Sequence, residues 1–419
     1  MTHGPTQASR HSWVVNSVRE MKDSGIPWVG EIPANWRTMR LKYLLSERNS
    51  RTTTGDEELL SVSIHNGVVP SRFIRERATL ASSLVGYKHV YVGDMVFNKL
   101  NPNMARFAYS EYDGITSPDF AVYYPKEPVS IDMRFLTYLI RTPLYVERIK
   151  QLTSGVGEGF ARLYTPDLFG IAVGLPSLNE QLRIADYLDE RCAAIDEVRR
   201  TIEDEVEVLR RLRKATIHRA VTKGLDEGAP MQDSGIHWAG RVPSAFEVKQ
   251  LKRVAWLGNG SDPKMDGNTP VYGSGQESFK TCGEYKLGPC VLLGRKGATL
   301  HIPHYIEGRY WNVDTAFDAK TIGLNCLKWF YYLACCLDYD YYKTHTVRPS
   351  MTASDYLSMV IPVPSVIEQN RIADYLDERC AAIDSVIDTR TKQLERLEDY
   401  RKALIFAYVT GKKEVPTHA

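Results

Sequence analysis

An α+β fold, in which two mixed α/β domains are separated by a long antiparallel two-helix coiled-coil spacer with a pseudo-twofold internal repeat, is what this sequence predicts. Three observations predict it. RIADYLDERCAAID at Arg183–Asp196 returns letter for letter at Arg371–Asp384, an offset of 188 residues that holds without a gap to Val221-Thr222 and Val409-Thr410. MKDSGIPWVGEIP from Met21 returns as MQDSGIHWAGRVP from Met231, at an offset of 210. Between these constant frames lie two blocks of unlike sequence. So long a period means a duplicated domain, because solenoid repeats run ~20–50 residues.

The chain then reads, in order, as an N-terminal segment and frame loop (1–37), a first variable block (38–175), a capped helix (176–224), a second frame loop (225–247), a second variable block (248–363), a second capped helix (364–412) and a tail (413–419). Joining the ends would make this order cyclic, so the second helix is expected to pack near the first frame loop.

Each helix has the same start. Ser177-x-x-Glu180 and Ser365-x-x-Glu368 fit a capping box, and Pro176 and Pro364 stop the arriving strand. Ile184, Leu188, Ile195, Val198, Ile202, Leu209 and Leu212 then recur at helical steps, and Ile372, Leu376, Ile383, Ile387, Leu394, Leu397 and Leu404 do so in the second copy. That is a coiled-coil seam with charged outer faces. Gly224 and Gly411 suit the C-caps. As one straight helix, Leu178–Lys223 would span ~70 Å at ~1.5 Å per residue; a break near 189–194 would leave roughly 30 residues, or ~45 Å. An apolar stripe this long must be buried, and its own repeat is the natural antiparallel partner.

The frame loops are rich in Gly, Pro, Ser and Asp and too long to be idle, so they are expected to pack as ordered loops through Met231, Ile236 and Trp238. In the variable blocks, short β-branched and aromatic runs alternate with Gly, Pro and Asn breaks, which reads as considerable strand. Val96–Asn101 and Asp119–Val122 in block one match Val291–Gly297 and Asp314–Phe317 in block two, and helix-like segments follow at Met133–Gln151 and Leu324–Tyr342.

Composition bounds the function classes. With 43% hydrophobic and 25% charged residues the chain is an ordinary globular one, long enough for two or three cores at ~150 residues each. The opening MTHGPTQASRHSW has no apolar core of signal length, and the longest apolar run, Trp329–Leu337, falls far short of the ~18 residues of a membrane span. A cytoplasmic protein without membrane contact is expected. Seven cysteines without a CxxC read as reduced structural thiols, with no metal site. A net charge of +2 says little about partners, but basic residues cluster locally in SRFIRER, RRLRK and GRKG.

No catalytic motif is found: no GxxxxGK[ST], no HExxH, no GxSxG. Gly155–Gly159 follows no apolar strand, and Asn101-Pro102-Asn103-Met104 lacks the second proline and the aromatic of an amino-methyltransferase motif. No catalytic residue and no enzyme activity are expected of this chain.

DNA readout fits the residues better. Arg295 and Lys296, between glycines, can bring a guanidinium to guanine O6 and N7 and an ammonium to phosphate. Tyr272, Ser274 and Gln276 in VYGSGQ, and His345, Thr346, Arg348 and Ser350 in THTVRPS, are placed beside them. The block-one candidates are Arg72, Arg75, Arg77, Asn98, Lys99, Asn101, Asn103, Arg106 and Arg162.

With PSLNEQLRIADYLDERCAAID at Pro176–Asp196, PSVIEQNRIADYLDERCAAID at Pro364–Asp384, the tryptophan loops DSGIPWVGEIP and DSGIHWAGRVP, and VYGSG, LLGRKG and GITSPDFAVY, the chain closely resembles the DNA-specificity subunit of type I restriction–modification systems over essentially its whole length. The resemblance implies two target recognition domains, each reading half of a bipartite site in double-stranded DNA. It implies that the paired frame, with Glu180, Gln181, Arg183, Glu368, Gln369 and Arg371 as partner-binding candidates, docks two methyltransferase subunits, which restriction subunits join. S-adenosylmethionine, ATP and Mg are then expected on those partners, and no cofactor on this chain. The same module serving a type II-like restriction–modification enzyme is the alternative. Half-sites one helical turn apart lie ~34–36 Å apart along the duplex, a scale that such a spacer matches.

Overall fold

The computed structural model describes residues 19–63, 67–74, 83–99, 107–127, 130–153 and 162–416. They form two compact units, Met1–Arg199 with Glu395–Ala419, and Arg200–Leu394.

In the first unit the frame loop is a hairpin, Met21–Asp23 against Glu31–Pro33. The repeated DSGI letters make its turn. Asp23 Oδ1 accepts from Gly25 N at 2.9 Å, Ser24 Oγ accepts from Ile26 N at 3.0 Å, and Gly25 takes φ 68°, where a side chain would strain the backbone. Trp28 meets Tyr145 edge to face, and Trp36 is buried with its Nε1 donating to Glu180 Oε1 at 3.2 Å.

The block itself enters on Arg37–Arg40 and leaves on Ala172–Leu175, and these two strands pair antiparallel with each other. Between them lies a four-stranded antiparallel sheet in the order Leu45–Glu47, Phe120–Pro125, Met95–Asn98, Phe107–Tyr109. The helices Met133–Ile140 and Pro143–Leu152 follow. The sequence suggested one helical segment here. Thr142 instead takes an extended conformation ahead of Pro143, which begins the second helix because proline cannot continue the first. Phe97, Phe107, Phe135 and Leu136 fill the core between sheet and helix, each such side chain stabilising by roughly 1.5–3 kcal/mol.

The second unit repeats these connections. Its hairpin pairs Met231–Asp233 with Arg241–Pro243 in the same register, and Asp233 and Ser234 make the same turn around Gly235. Block two enters on Glu247–Gln250 and leaves on Val360–Val363. Its main sheet has the same order: Ala255–Asn259, Ala316–Thr321, Cys290–Gly294, His304–Ile306. A second sheet, in the order Ser278–Cys282, Thr269–Tyr272, Arg309–Asn312, Lys286–Leu287, is added to it. Arg37 stands opposite Leu175 and Glu247 opposite Val363, so the 210-residue and 188-residue offsets meet in one ladder. Each block is therefore a cassette with its entry and exit tied together.

The two long helices, Leu178–Lys223 and Val366–Val409, are each unbroken, so the suggested break near 189–194 is absent. In the first unit Tyr187 meets Tyr408, and Asp196 faces Arg401 at 3.8 Å. In the second, Arg390 reaches Glu205 at 3.0 Å and Arg213 reaches Asp384 at 2.9 Å. As numbers rise along one helix they fall along the other, which makes the packing antiparallel. Ile184, Leu188, Ile195, Ile202, Ile372 and Leu376 are buried as the seam requires, but Val198 and Leu212 are exposed and Val206 and Ile217 are buried instead. A 3.6-residue helix drifts ~20° per heptad from a strict seven-residue stripe, so the buried face moves around it.

The helix starts keep half of the expected capping box. Ser177 Oγ accepts from Glu180 N and Ser365 Oγ from Glu368 N, both at 3.3 Å. The glutamate side chains turn elsewhere, Glu180 to Arg19 and Trp36, Glu368 to Arg371. At the other ends Gly224 and Gly411 both take φ 70°. Gly411 lies against Pro33 and Trp36 of the first hairpin, as the cyclic order predicts, and Gly224 against Pro243 and Phe246 of the second. A Cβ at Gly411 would stand 2.3 Å from Pro33 Cγ.

Candidate DNA interface

In the second unit the buried strand Cys290–Gly294 runs out into Arg295-Lys296-Gly297. Gly294 is required there, because a Cβ would lie 2.3 Å from Leu300 Cα as the chain folds back. The turn is held on both sides through its backbone. Arg295 N donates to Thr315 O at 2.7 Å, Arg295 O accepts from Met351 N at 2.9 Å, and Gly297 N donates to Pro349 O at 2.9 Å. Lys296 and Ser350 form an antiparallel bridge. The GRKG turn, the 313–315 turn and the 344–350 loop thus share one edge of the unit.

The VYGSGQ segment reaches the same edge. Ser274 Oγ lies 3.2 Å from Thr299 Oγ1, and a Cβ at Gly273 would meet Thr315 Oγ1 at 2.8 Å. Gln276 Nε2 donates to Pro303 O at 3.2 Å. Tyr272 packs on His304 and on the cluster of Cys290, Leu292, Ile306 and Tyr310, so it supports the edge rather than lining it. His345, Thr346 and Arg348 are exposed and Ser350 is half-buried. Three segments far apart in sequence, each singled out for DNA contact, are brought together.

Electrostatics at this edge are self-contained. Lys296 Nζ lies 3.1 Å from Asp314 Oδ2, with both side chains about half exposed. Arg295 stacks 5.5 Å over the Phe317 ring and reaches the Asp314 carbonyl at 3.5 Å. An exposed pair of this kind is worth ~0–1 kcal/mol, so a phosphate or base edge can displace it at small cost. Phe279 and Val347, both exposed, also belong to the edge and escaped the sequence reading. Phe279 stands 3.8 Å from the Cβ position of Gly273. The available signal was an aromatic and a valine flanked only by polar residues.

The first unit presents its candidates differently. Asn98 is buried at the end of its strand, opposite Phe120, so it is an interior residue and not a base reader in this arrangement. Lys99 is turned inward to Glu47 at 3.0 Å, which Lys88 also approaches at 3.3 Å and to which Thr165 donates at 2.6 Å. Burial would raise the Glu47 carboxyl, but the Thr165 and Lys99 hydrogen bonds and the two lysine charges hold it below the ordinary range. Arg72 is exposed, paired with Glu58 and stacked on Phe73. Arg162 lies 4.0 Å from Asp119 and 5.9 Å over Tyr164. Arg75, Arg77, Asn101, Asn103 and Arg106 lie outside the described residues, as does Gly155–Gly159.

The partner-binding candidates separate into two groups. Arg183 and Arg371 point outward. Gln181 and Gln369 are buried, which corrects their assignment to a docking surface. Gln181 Oε1 accepts from Asp132 N at 2.8 Å and its Nε2 donates to Pro176 O at 3.0 Å; Gln369 makes the same bonds to Cys326 N and Pro364 O. Glu180 is likewise committed inward, to Arg19. Among the described residues no helix is long and apolar enough to cross a membrane.

Comparison with known proteins agrees with this architecture. The family model of the type I restriction modification DNA specificity domain matches residues 35–208. A putative type I restriction enzyme MjaX specificity subunit of Methanocaldococcus jannaschii is 22% identical over 93% of this chain and 96% of its own length. The EcoDI specificity subunit of Escherichia coli is 27% identical over 45% of this chain and 38% of its own length. A solved chain from work on complex assembly and conformational transition of the type I R-M system shares the fold, with a TM-score of 0.68 over 91% of this chain and 99% of that one at 17% identity. Residues 35–208 thus match the type I restriction modification DNA specificity domain, and the chain over nearly its whole length is similar to a specificity subunit of that kind.

Proposed function

We propose that this chain is a non-catalytic reader of a bipartite DNA site. Each variable block contacts one half-site, and the frame carries partner adenine-methyltransferase and restriction subunits to it. One observation carries the reading: two blocks of unlike sequence are tied into near-identical frames by the same strand register, so what differs between the two halves is the blocks themselves. The 295–297, 313–315 and 344–350 segments are the contact edge of the second block. Arg295 suits bidentate hydrogen bonding to a guanine, and Lys296 suits a phosphate. The reacting groups, S-adenosylmethionine for methyl transfer and ATP with Mg for restriction, belong to the partners. Helix length in the frame then fixes the number of unread base pairs between the half-sites.

Exchanging residues 248–363 for the corresponding block of another specificity subunit, followed by mapping of methylated adenines in cells carrying the partner subunits, tests this. One half-site is expected to change and the other to persist. A change in both, or in neither, overturns the two-reader model. Incubating the purified chain alone with labelled S-adenosylmethionine and DNA tests the non-catalytic part, and methyl transfer there overturns it.

A further inference from the structure

Val347 has the greatest exposure of any large apolar side chain among the described residues, 102%. It sits in a loop whose base is closed by polar bonds. Thr344 N donates to Ser350 O at 3.0 Å, Ser350 N donates to Thr344 Oγ1 at 2.9 Å, and Thr346 Oγ1 donates to Arg348 O at 2.8 Å. The loop is stitched to the Arg295 turn through Pro349 and Met351. A single exposed apolar residue is ordinary on a protein surface. This one tops a braced loop, next to Thr346 and Arg348, on the edge that carries Arg295 and Lys296.

We propose that Val347 is a specificity-determining residue whose methyl groups meet the 5-methyl of a thymine in the major groove. That methyl is the apolar feature of the base edges there, and hydrogen-bonding residues such as Arg295 and Lys296 do not read it. Valine suits the task because its β-branch restricts χ1, so little side-chain freedom is lost on contact. The proposal rests on the reading of this edge as the DNA face.

The test uses the chain assembled with its partner subunits and duplexes carrying the mapped site, with each thymine of the second half-site replaced in turn by uracil, which lacks only the methyl. At one position the wild-type complex is expected to lose about three- to tenfold in affinity, the scale of one buried methyl contact. Val347→Ser is expected to bind the thymine and uracil duplexes equally, and Val347→Ile to keep the difference. The proposal is overturned if the half-site has no thymine, if no position responds to uracil, or if Val347→Ser leaves the response intact. Weaker binding by Val347→Ser with an unchanged uracil response would make the side chain a wedge between base steps, which also overturns it. Arg295→Ala separates the two levels. If it too binds as wild type, the reading of this edge falls; if it weakens binding while Val347→Ser does not, only the role of Val347 falls.

Discussion

Tyr138 donates its hydroxyl hydrogen to Asp189 at 2.8 Å, and Tyr332 does the same to Asp377 at 2.7 Å. The two aspartates are equivalent positions of the long-helix repeat, but the tyrosines come from blocks of unlike sequence. Four residues before each tyrosine a cation reaches the same carboxylate, Arg134 at 2.8 Å and Lys328 at 3.0 Å. The N-cap residue of each block helix, Asp132 or Cys326, donates its backbone N–H to the buried glutamine. The long helix thus offers a fixed socket, and each block brings a helix that fits it.

Tyr138→Phe and Tyr332→Phe should each destabilise the unit that holds them by about 1–2 kcal/mol, the scale of a hydrogen bond to a charged but partly exposed group. Urea unfolding followed by fluorescence checks this. Similar losses from both are expected, although the surrounding sequences differ; a loss confined to one would mean that the sockets are not equivalent.

Gln181→Ala and Gln369→Ala should cost more, about 2–4 kcal/mol each, because each strands a part-buried backbone donor and a buried carbonyl. Arg183→Ala, on the outward side of the same turn, should change stability by under ~0.5 kcal/mol. Thermal melts of the three variants side by side distinguish an interior clamp from a surface residue.

Acid should loosen the first unit through Glu47. Its carboxyl is held below the ordinary glutamate value of 4.5, so the stability it contributes is present above that value and is lost as pH falls through the folded value. Glu47→Gln should lower stability at neutral pH and flatten the decline on the acid side. Urea midpoints measured from pH ~7 to ~3.5 read the difference in slope. A variant curve parallel to the wild type would remove Glu47 from the account.

For DNA binding by the assembled complex, Arg295→Ala should cost ~1–3 kcal/mol and relax the preference at one base pair. Lys296→Ala should weaken all sequences alike and reduce the salt slope by about one. Competition binding at two or more salt concentrations separates the two effects.

The frame was legible in the sequence because duplication printed it twice: the ordered frame loops, the paired helices and the packing of the second helix end, Gly411, on Pro33 all follow from repeated letters. The socket was not legible. Arg134 and Tyr138 are matched with Lys328 and Tyr332 at a spacing that differs from both repeat offsets, inside segments that do not otherwise align. Gln181 is a docking candidate through the resemblance alone, and only the fold supplies the backbone groups that make its burial favourable. Grouping of the Arg295, Ser274 and Arg348 segments was expected from their chemistry, whereas the burial of Asn98 and the inward turn of Lys99 were not. A carboxylate two strands away in the same sheet, Glu47, draws Lys99 inward, and a sheet order of that kind is invisible in a linear string.

Each long helix is divided between the two units, and this imposes an order on biosynthesis. The first unit needs Glu395 and the residues after it, yet residues 200–394 must be made in between. At ~5–20 residues per second that is a wait of about 10–40 seconds, during which the half-made unit lacks the Tyr408 and Val409 side of its core. The block translated first is therefore the last to be finished, and the nascent chain has an apolar helix face to shield until its own repeat arrives.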